Sequence, residues 1–156
     1  MTMCLYCGWR IRDGARSRQK EPRMPIEIDV HHSQCLVRMT ARPPVTRLDV
    51  VRALEQQAAL GAWRYATLGD YREAQWIPEA PDIHAFVTLT DKLERQYGTR
   101  GPVALVTGQN DAVFGMSRMY GLLADLRDAV IRGFRTEEDA LAWLGSVSPA
   151  TWLAHP

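Results

Sequence analysis

Apolar and polar residues alternate at the start of the patterned part of the chain and then give way to helical spacing. Ile26, Ile28 and Val30 alternate with Glu27 and Asp29, the period of two that a half-buried strand imposes. Positions 31–34 read as a tight turn, and 35–40 as the returning arm of a hairpin that stops at Pro43 and Pro44. Thr46 with Asp49 has the form of a capping box, and Val51, Leu54 and Ala58 give the helix behind it one apolar face up to Gly61. A third strand is predicted over 63–68, closed by Gly69 and Asp70, and a loop with Trp76, Pro78 and Pro81 follows. Asp82 is the expected cap of a second helix. Its inner side is predicted to carry Ile83, Phe86, Val87, Thr90, Leu93 and Tyr97, while His84, Asp91 and Arg95 face away.

The most informative stretch is 102–145. An apolar strand at 103–106 ends in Thr107, Gly108, Gln109, Asn110 and Asp111, residues that turn a chain and cap a helix. A third helix from Ala112, a fifth strand over 129–134 and a fourth helix from Thr136 complete the order β-β-α-β-α-β-α-β-α. That order predicts a mixed sheet with right-handed crossovers and helices packed against it. On a helical wheel, Ala112, Met116, Met119, Leu123 and Leu126 share the predicted inner face of the third helix. Phe114, Arg118, Gly121 and Asp125 lie opposite.

At 156 residues, with 46% hydrophobic and 24% charged side chains, the chain is long enough for one core and reads as a single domain over 24–147, with a short tail at 148–156. The net charge of +1 is unevenly spread. Six basic side chains stand against two acidic ones in 1–23, about +4, and thirteen against sixteen in the rest, about −3. The segment 1–23 reads as a disordered basic extension, and Met24-Pro25 as an alternative start. An acidic body excludes general nucleic-acid binding, which needs a basic face. No stretch approaches the roughly 20 apolar residues of a membrane span, so a cytoplasmic protein is expected. Three cysteines make no disulfide framework.

The helix core FGMSRMYGLL at 114–123 and the ending VIRGFRTEEDALAWLG at 130–145, together with the element order over about 26–145, resemble the SpoIIAA-like family, a group related to STAS domains and often placed with SEC14-type lipid-binding domains. The resemblance implies a single α/β domain with a mixed five-stranded sheet, a β-hairpin followed by βαβ units, and about four helices. It also implies a non-enzymatic regulatory or binding role. In STAS-type anti-sigma-factor antagonists a phosphorylatable Ser or Thr opens the helix after the third strand. Here 70–82 holds no Ser or Thr, so such a phosphoswitch is not expected.

Open α/β sheets bind ligands beyond the carboxyl ends of their parallel strands. Asp70, Gln109, Asn110, Asp111, Phe114 and Arg118 are therefore the candidate contacts for an unknown protein or small-molecule ligand. The alternative reading is that Asn110 or Asp111 caps a helix and Gly108 makes a turn. An apolar-ligand reading has Trp63, Trp76, Phe86 and Tyr120 lining a cavity. Ser117 lacks the second glycine of a nucleophile elbow, and 107–111 lacks the Gly-Lys of a phosphate loop, so no catalytic residue and no cofactor is expected. A small hydrolase without a known motif stays as a further alternative. Cys4 and Cys7 have knuckle spacing, and His32 and Cys35 are the residues that would complete a zinc set. The competing reading gives Cys35 an ordinary buried place in a strand. A homodimer through an exposed helix face is the remaining partner expectation.

Overall fold

Alternating burial makes the first strand, β1 (Ile26–His31), with Ile26 buried and Glu27 and Asp29 exposed. A 3-10 turn at His32–Gln34 and a left-handed Cys35 (φ 49°) reverse the chain into β2 (Leu36–Ala41). The two strands pair antiparallel, from Ile26 opposite Ala41 to His31 opposite Leu36. Cys35 thus forms the bend, with a half-buried free thiol, and is not the strand residue expected. The computed structural model describes residues 24–126 and 130–147; the expectations for 1–23, Cys4, Cys7 and 148–156 fall outside the described residues.

Strands β3 (Ala66–Asp70), β4 (Val103–Val106) and β5 (Ile131–Phe134) add in parallel, giving a mixed five-stranded sheet in the sequential order β1-β2-β3-β4-β5. Right-handed crossovers that always step the same way place their helices on one face. Those helices are α1 (Arg47–Ala59), α2 (Ala80–Tyr97) and α3 (Asp111–Asp125), while α4 (Glu137–Ser146) covers the other face. Neighbouring residues of β4 show the division. Val103 joins the larger core with Leu54, Phe86 and Tyr120, whereas Ala104 and Val106 pack with Ala140 and Leu144 of α4. The expected α/β class, strand count and helix count are those of the described residues.

The caps follow the sequence with one shift. Thr46 and Asp49 bond reciprocally at the start of α1. At α2 the cap is Glu79, and Asp82 is its partner three residues on, accepting the Glu79 N–H at 2.9 Å. Asn110 caps α3 by accepting from the N–H groups of Ala112 and Val113, both at 3.1 Å, and Thr136 caps α4.

The third strand covers Ala66–Asp70, not 63–68, so Gly69 and Asp70 lie inside the sheet. Trp63 sits before the strand as a plug, 2% exposed, its Nε1–H donating to the Gly98 carbonyl at 3.0 Å. The inner face of α3 is also rotated from the expected one. Ser117, Tyr120, Gly121 and Ala124 are buried, while Ala112 and Leu126 are exposed. A Cβ on Gly121 would lie 2.5 Å from the Ile131 carbonyl oxygen, so this helix crosses β5 too closely for larger residues to face inward. Tyr97, expected inside α2, is exposed.

Candidate functional site

The carboxyl ends of β3, β4 and β5 bring Asp70, Gly108, Gln109, Asn110, Asp111 and Thr136 to one edge, and internal partners take up most of their polar groups. Asp70 accepts two bonds from the Arg72 guanidinium, at 2.9 and 2.6 Å, and one from the Arg72 backbone N–H at 3.1 Å. Arg72 also reaches Glu137 at 3.2 Å, and Glu137 in turn pairs with Arg38 at 2.7 Å. The stem of Arg72 packs over the Gly108 turn, where φ is +63°. Arg135 donates to the Gly108 carbonyl at 3.2 Å and to Asp111 at 2.6 Å, and its guanidinium lies 4.2 Å from the centre of the Phe114 ring. Phe114 is therefore held against β5 and its flank, half-buried beneath Arg135, not placed on an outward face beside Arg118. Gln109 and Arg118 are exposed and make no hydrogen bond or ion pair among the described residues. Arg118 shares the outer side of α3 with Leu122 (67% exposed) and Leu126 (82%).

This network has a pH signature. The Arg72 side chain first, then its backbone N–H and the charges of Arg72 and Arg38, hold the Asp70 carboxyl below its ordinary 3.8 against an opposing desolvation effect. A depressed carboxylate contributes stability above its unfolded pKa and loses it as pH falls through the folded value. Asp70→Asn is therefore expected to destabilise the protein at pH 7 by about 1 kcal/mol or less, since the pair is partly solvated. The gap from wild type should narrow as the pH falls below the ordinary 3.8 towards the lower folded value, as read from urea unfolding at pH 3 and pH 7.

A second space lies beneath α1, α2 and α3. On the helix-facing side the central strand β3 carries only Thr67 and Gly69 between the larger Met39 of β2 and Val103 and Leu105 of β4. The Leu105 and Tyr71 side chains take the space directly over Gly69, and a cavity of about 80 Å3 lies between this part of the sheet and the helices. Trp76, Phe86 and Tyr120 wall it, meeting edge to face with centroids 6.3 Å apart at each step. Trp63, the fourth expected aromatic, does not line the cavity; its ring lies against the Arg100 guanidinium. The Tyr71 ring lies against Gly69, and burial pushes its phenol up to about 12 although the charge of Arg100 works in the opposite sense. Tyr71 and Val113 also line an open surface groove with Arg72, Gln75 and Asn110, so they mark the boundary between the cavity and the strand-end edge.

A buried polar chain runs along the cavity. Gln57 donates to the Ala62 carbonyl at 3.1 Å and to Thr67 Oγ1 at 2.9 Å, and its Oε1 accepts from Arg100 at 3.3 Å. Arg100 also donates to the Tyr120 hydroxyl at 3.4 Å, which meets Thr90 Oγ1 at 3.1 Å. All five side chains are buried. The sequence carried one signal for this chain: Gln57 falls on the apolar stripe of α1 with Val50, Ala53, Leu54 and Ala58. Arg100, in the loop before β4, carries no local pattern that sets it apart.

Among the described residues no group of three or more His, Cys, Asp or Glu side chains is arranged to hold a metal; Cys4 and Cys7 of the zinc set fall outside them. No described helix is long and apolar enough to cross a membrane. Neither a scan against protein-family models nor a search of curated proteins finds a match.

Proposed function

We propose that the protein is a non-enzymatic module that binds a small, largely apolar molecule in the cavity between the sheet and α1–α3. The observation that carries this reading is the cavity itself, walled by aromatic rings, crossed by a buried polar chain and bounded by Tyr71 and Val113 next to a surface groove. Ligand sites are typically apolar hollows with a few placed polar groups. The cavity-lining residues include no His, Asp or Glu, the side chains that most often serve as general bases. The likeness to SpoIIAA-like and SEC14-type domains points the same way.

Native mass spectrometry and organic extraction of purified protein are expected to detect a bound small molecule. Val113→Phe, which places a ring at the cavity boundary, should weaken its capture at least tenfold, the effect of losing about 1.4 kcal/mol of binding. Preparations that carry nothing, and a panel of small apolar compounds that leaves the amide spectrum unchanged, would sink the proposal. So would turnover of esters, phosphates or nucleotides that Asp111→Ala abolishes, which is the outcome the hydrolase reading requires. The homodimer reading rests on Leu122 and Leu126; a monomer at every concentration in equilibrium sedimentation removes it.

A further inference from the structure

Arg100 is the one charged residue lining the cavity among the described residues, and it is 3% exposed. The hydrogen-bond partners of its guanidinium are neutral. The bonds to Tyr120 at 3.4 Å and to Gln57 at 3.3 Å lie beyond the usual N–H···O range, and the buried Nε has no acceptor among the described residues. Glu94, the nearest acid along the chain, accepts from the Arg100 backbone N–H at 3.0 Å, and no ion pair joins the guanidinium to a described carboxylate. The Trp63 ring covers one face of the guanidinium, 4.8 Å from its centre.

A guanidinium does not lose its proton in a protein, so the charge persists where it is buried. A buried cation without an anion is costly. Several arginines nearer the surface pair with acids, Arg72 with Asp70 and Glu137 and Arg135 with Asp111, and exposed Arg118 has water to solvate it, whereas the buried Arg100 has neither and lines a cavity. The orientation is fixed as well: Gln57 is anchored through its amide nitrogen to Ala62 and Thr67, which turns its oxygen toward Arg100.

We infer that the cavity takes a small monoanion, a short aliphatic or aryl carboxylate, with its carboxylate on Arg100 and the Tyr120 hydroxyl and its apolar body against Phe86, Trp76 and Leu54. This rests on the binding reading above and names the ligand's chemistry. A planar carboxylate matches the fork of one guanidinium, whereas a phosphate brings more charge and more oxygens than the apolar walls can serve. The volume limits the size. At roughly 10–15 Å3 for each water-sized position, the space of about 80 Å3 suits on the order of five to eight heavy atoms.

The test compares hexanoate with hexanamide, which share size and carbonyl but differ in charge, on the full chain by calorimetry. Amide shifts at Gly69 and Ser117 locate the binding. Wild type is expected to bind hexanoate about ten- to hundredfold more tightly than hexanamide. Arg100→Met should bind the two alike. That variant replaces an uncompensated cation with an apolar chain of similar length and is expected to fold. If it does not fold, the wild-type preference, together with its severalfold reduction in Tyr120→Phe, decides the matter. Equal affinity of wild type for both compounds would overturn the anionic head while leaving the cavity as a binding site. Binding of neither, with no shift at Gly69, would overturn both.

Discussion

Gly101→Ala is expected to lower the unfolding free energy by about 3 kcal/mol, at the upper end of what overpacking usually costs. A Cβ at this position would lie 2.2 Å from the carbonyl oxygen of Tyr65 and 2.6 Å from that of Arg64. Both are backbone atoms, so no side-chain rotation relieves the overlap, and the loop before β4 must move away from the loop before β3. These loops are joined by Gly101 N–H to the Trp63 carbonyl at 3.2 Å, Thr67 N–H to the Pro102 carbonyl at 2.8 Å, and Trp63 Nε1–H to Gly98. Separating them also displaces Arg100, one residue away. The control is Gly115→Ala on the exposed side of α3, where a Cβ meets nothing within 4 Å. Helix propensity alone should make it neutral or more stable by up to about 1 kcal/mol. Urea unfolding of the two variants separates the effects; a Gly101→Ala protein as stable as wild type would show that the loops yield freely.

The sequence made the fold legible where one local rule acted alone. Alternation of Ile26, Ile28 and Val30 and the pairing of Thr46 with Asp49 needed no tertiary information. The face of α3 is legible only in part: Met116, Met119 and Leu123 pack against the core as the hydrophobic wheel predicts, whereas full burial goes to Ser117, Tyr120, Gly121 and Ala124, the small residues among them letting the helix approach β5. The third strand starts later than the sequence predicts for a related reason. Trp63 and Tyr65 have high strand propensity, but tertiary packing uses Trp63 as a plug between loops.

The strand-end residues were placed at the right edge by topology, but their engagement was not legible from sequence. Glu137 reads as a first-turn acid, yet it joins Arg38 and Arg72 across strands far apart in the chain. The cavity was partly legible as aromatics at Trp76, Phe86 and Tyr120. Its polar chain brings residues from α1, β3, α2, the loop before β4 and α3 to one place, and local spacing cannot express a juxtaposition of that kind.

Trp63→Ala should be the most destabilising truncation in this region, costing about 3–5 kcal/mol, the range for removing a buried large aromatic. The loss has separable parts. Trp63→Phe keeps most of the ring but leaves the Gly98 carbonyl without its 3.0 Å donor, a cost of about 1 kcal/mol. The ring also faces the Arg100 guanidinium, and a desolvated contact of that kind contributes about 2 kcal/mol. In an Arg100→Met background, Trp63→Ala should therefore cost about 1–2 kcal/mol less than in wild type, a coupling that a double-mutant cycle by urea unfolding reads directly. The aromatic face then offsets part of the cost of burying the cation beside the cavity. Equal costs in the two backgrounds would mean that Trp63 supports only the loops around it, and that Arg100 is held in place by Gln57 and Tyr120.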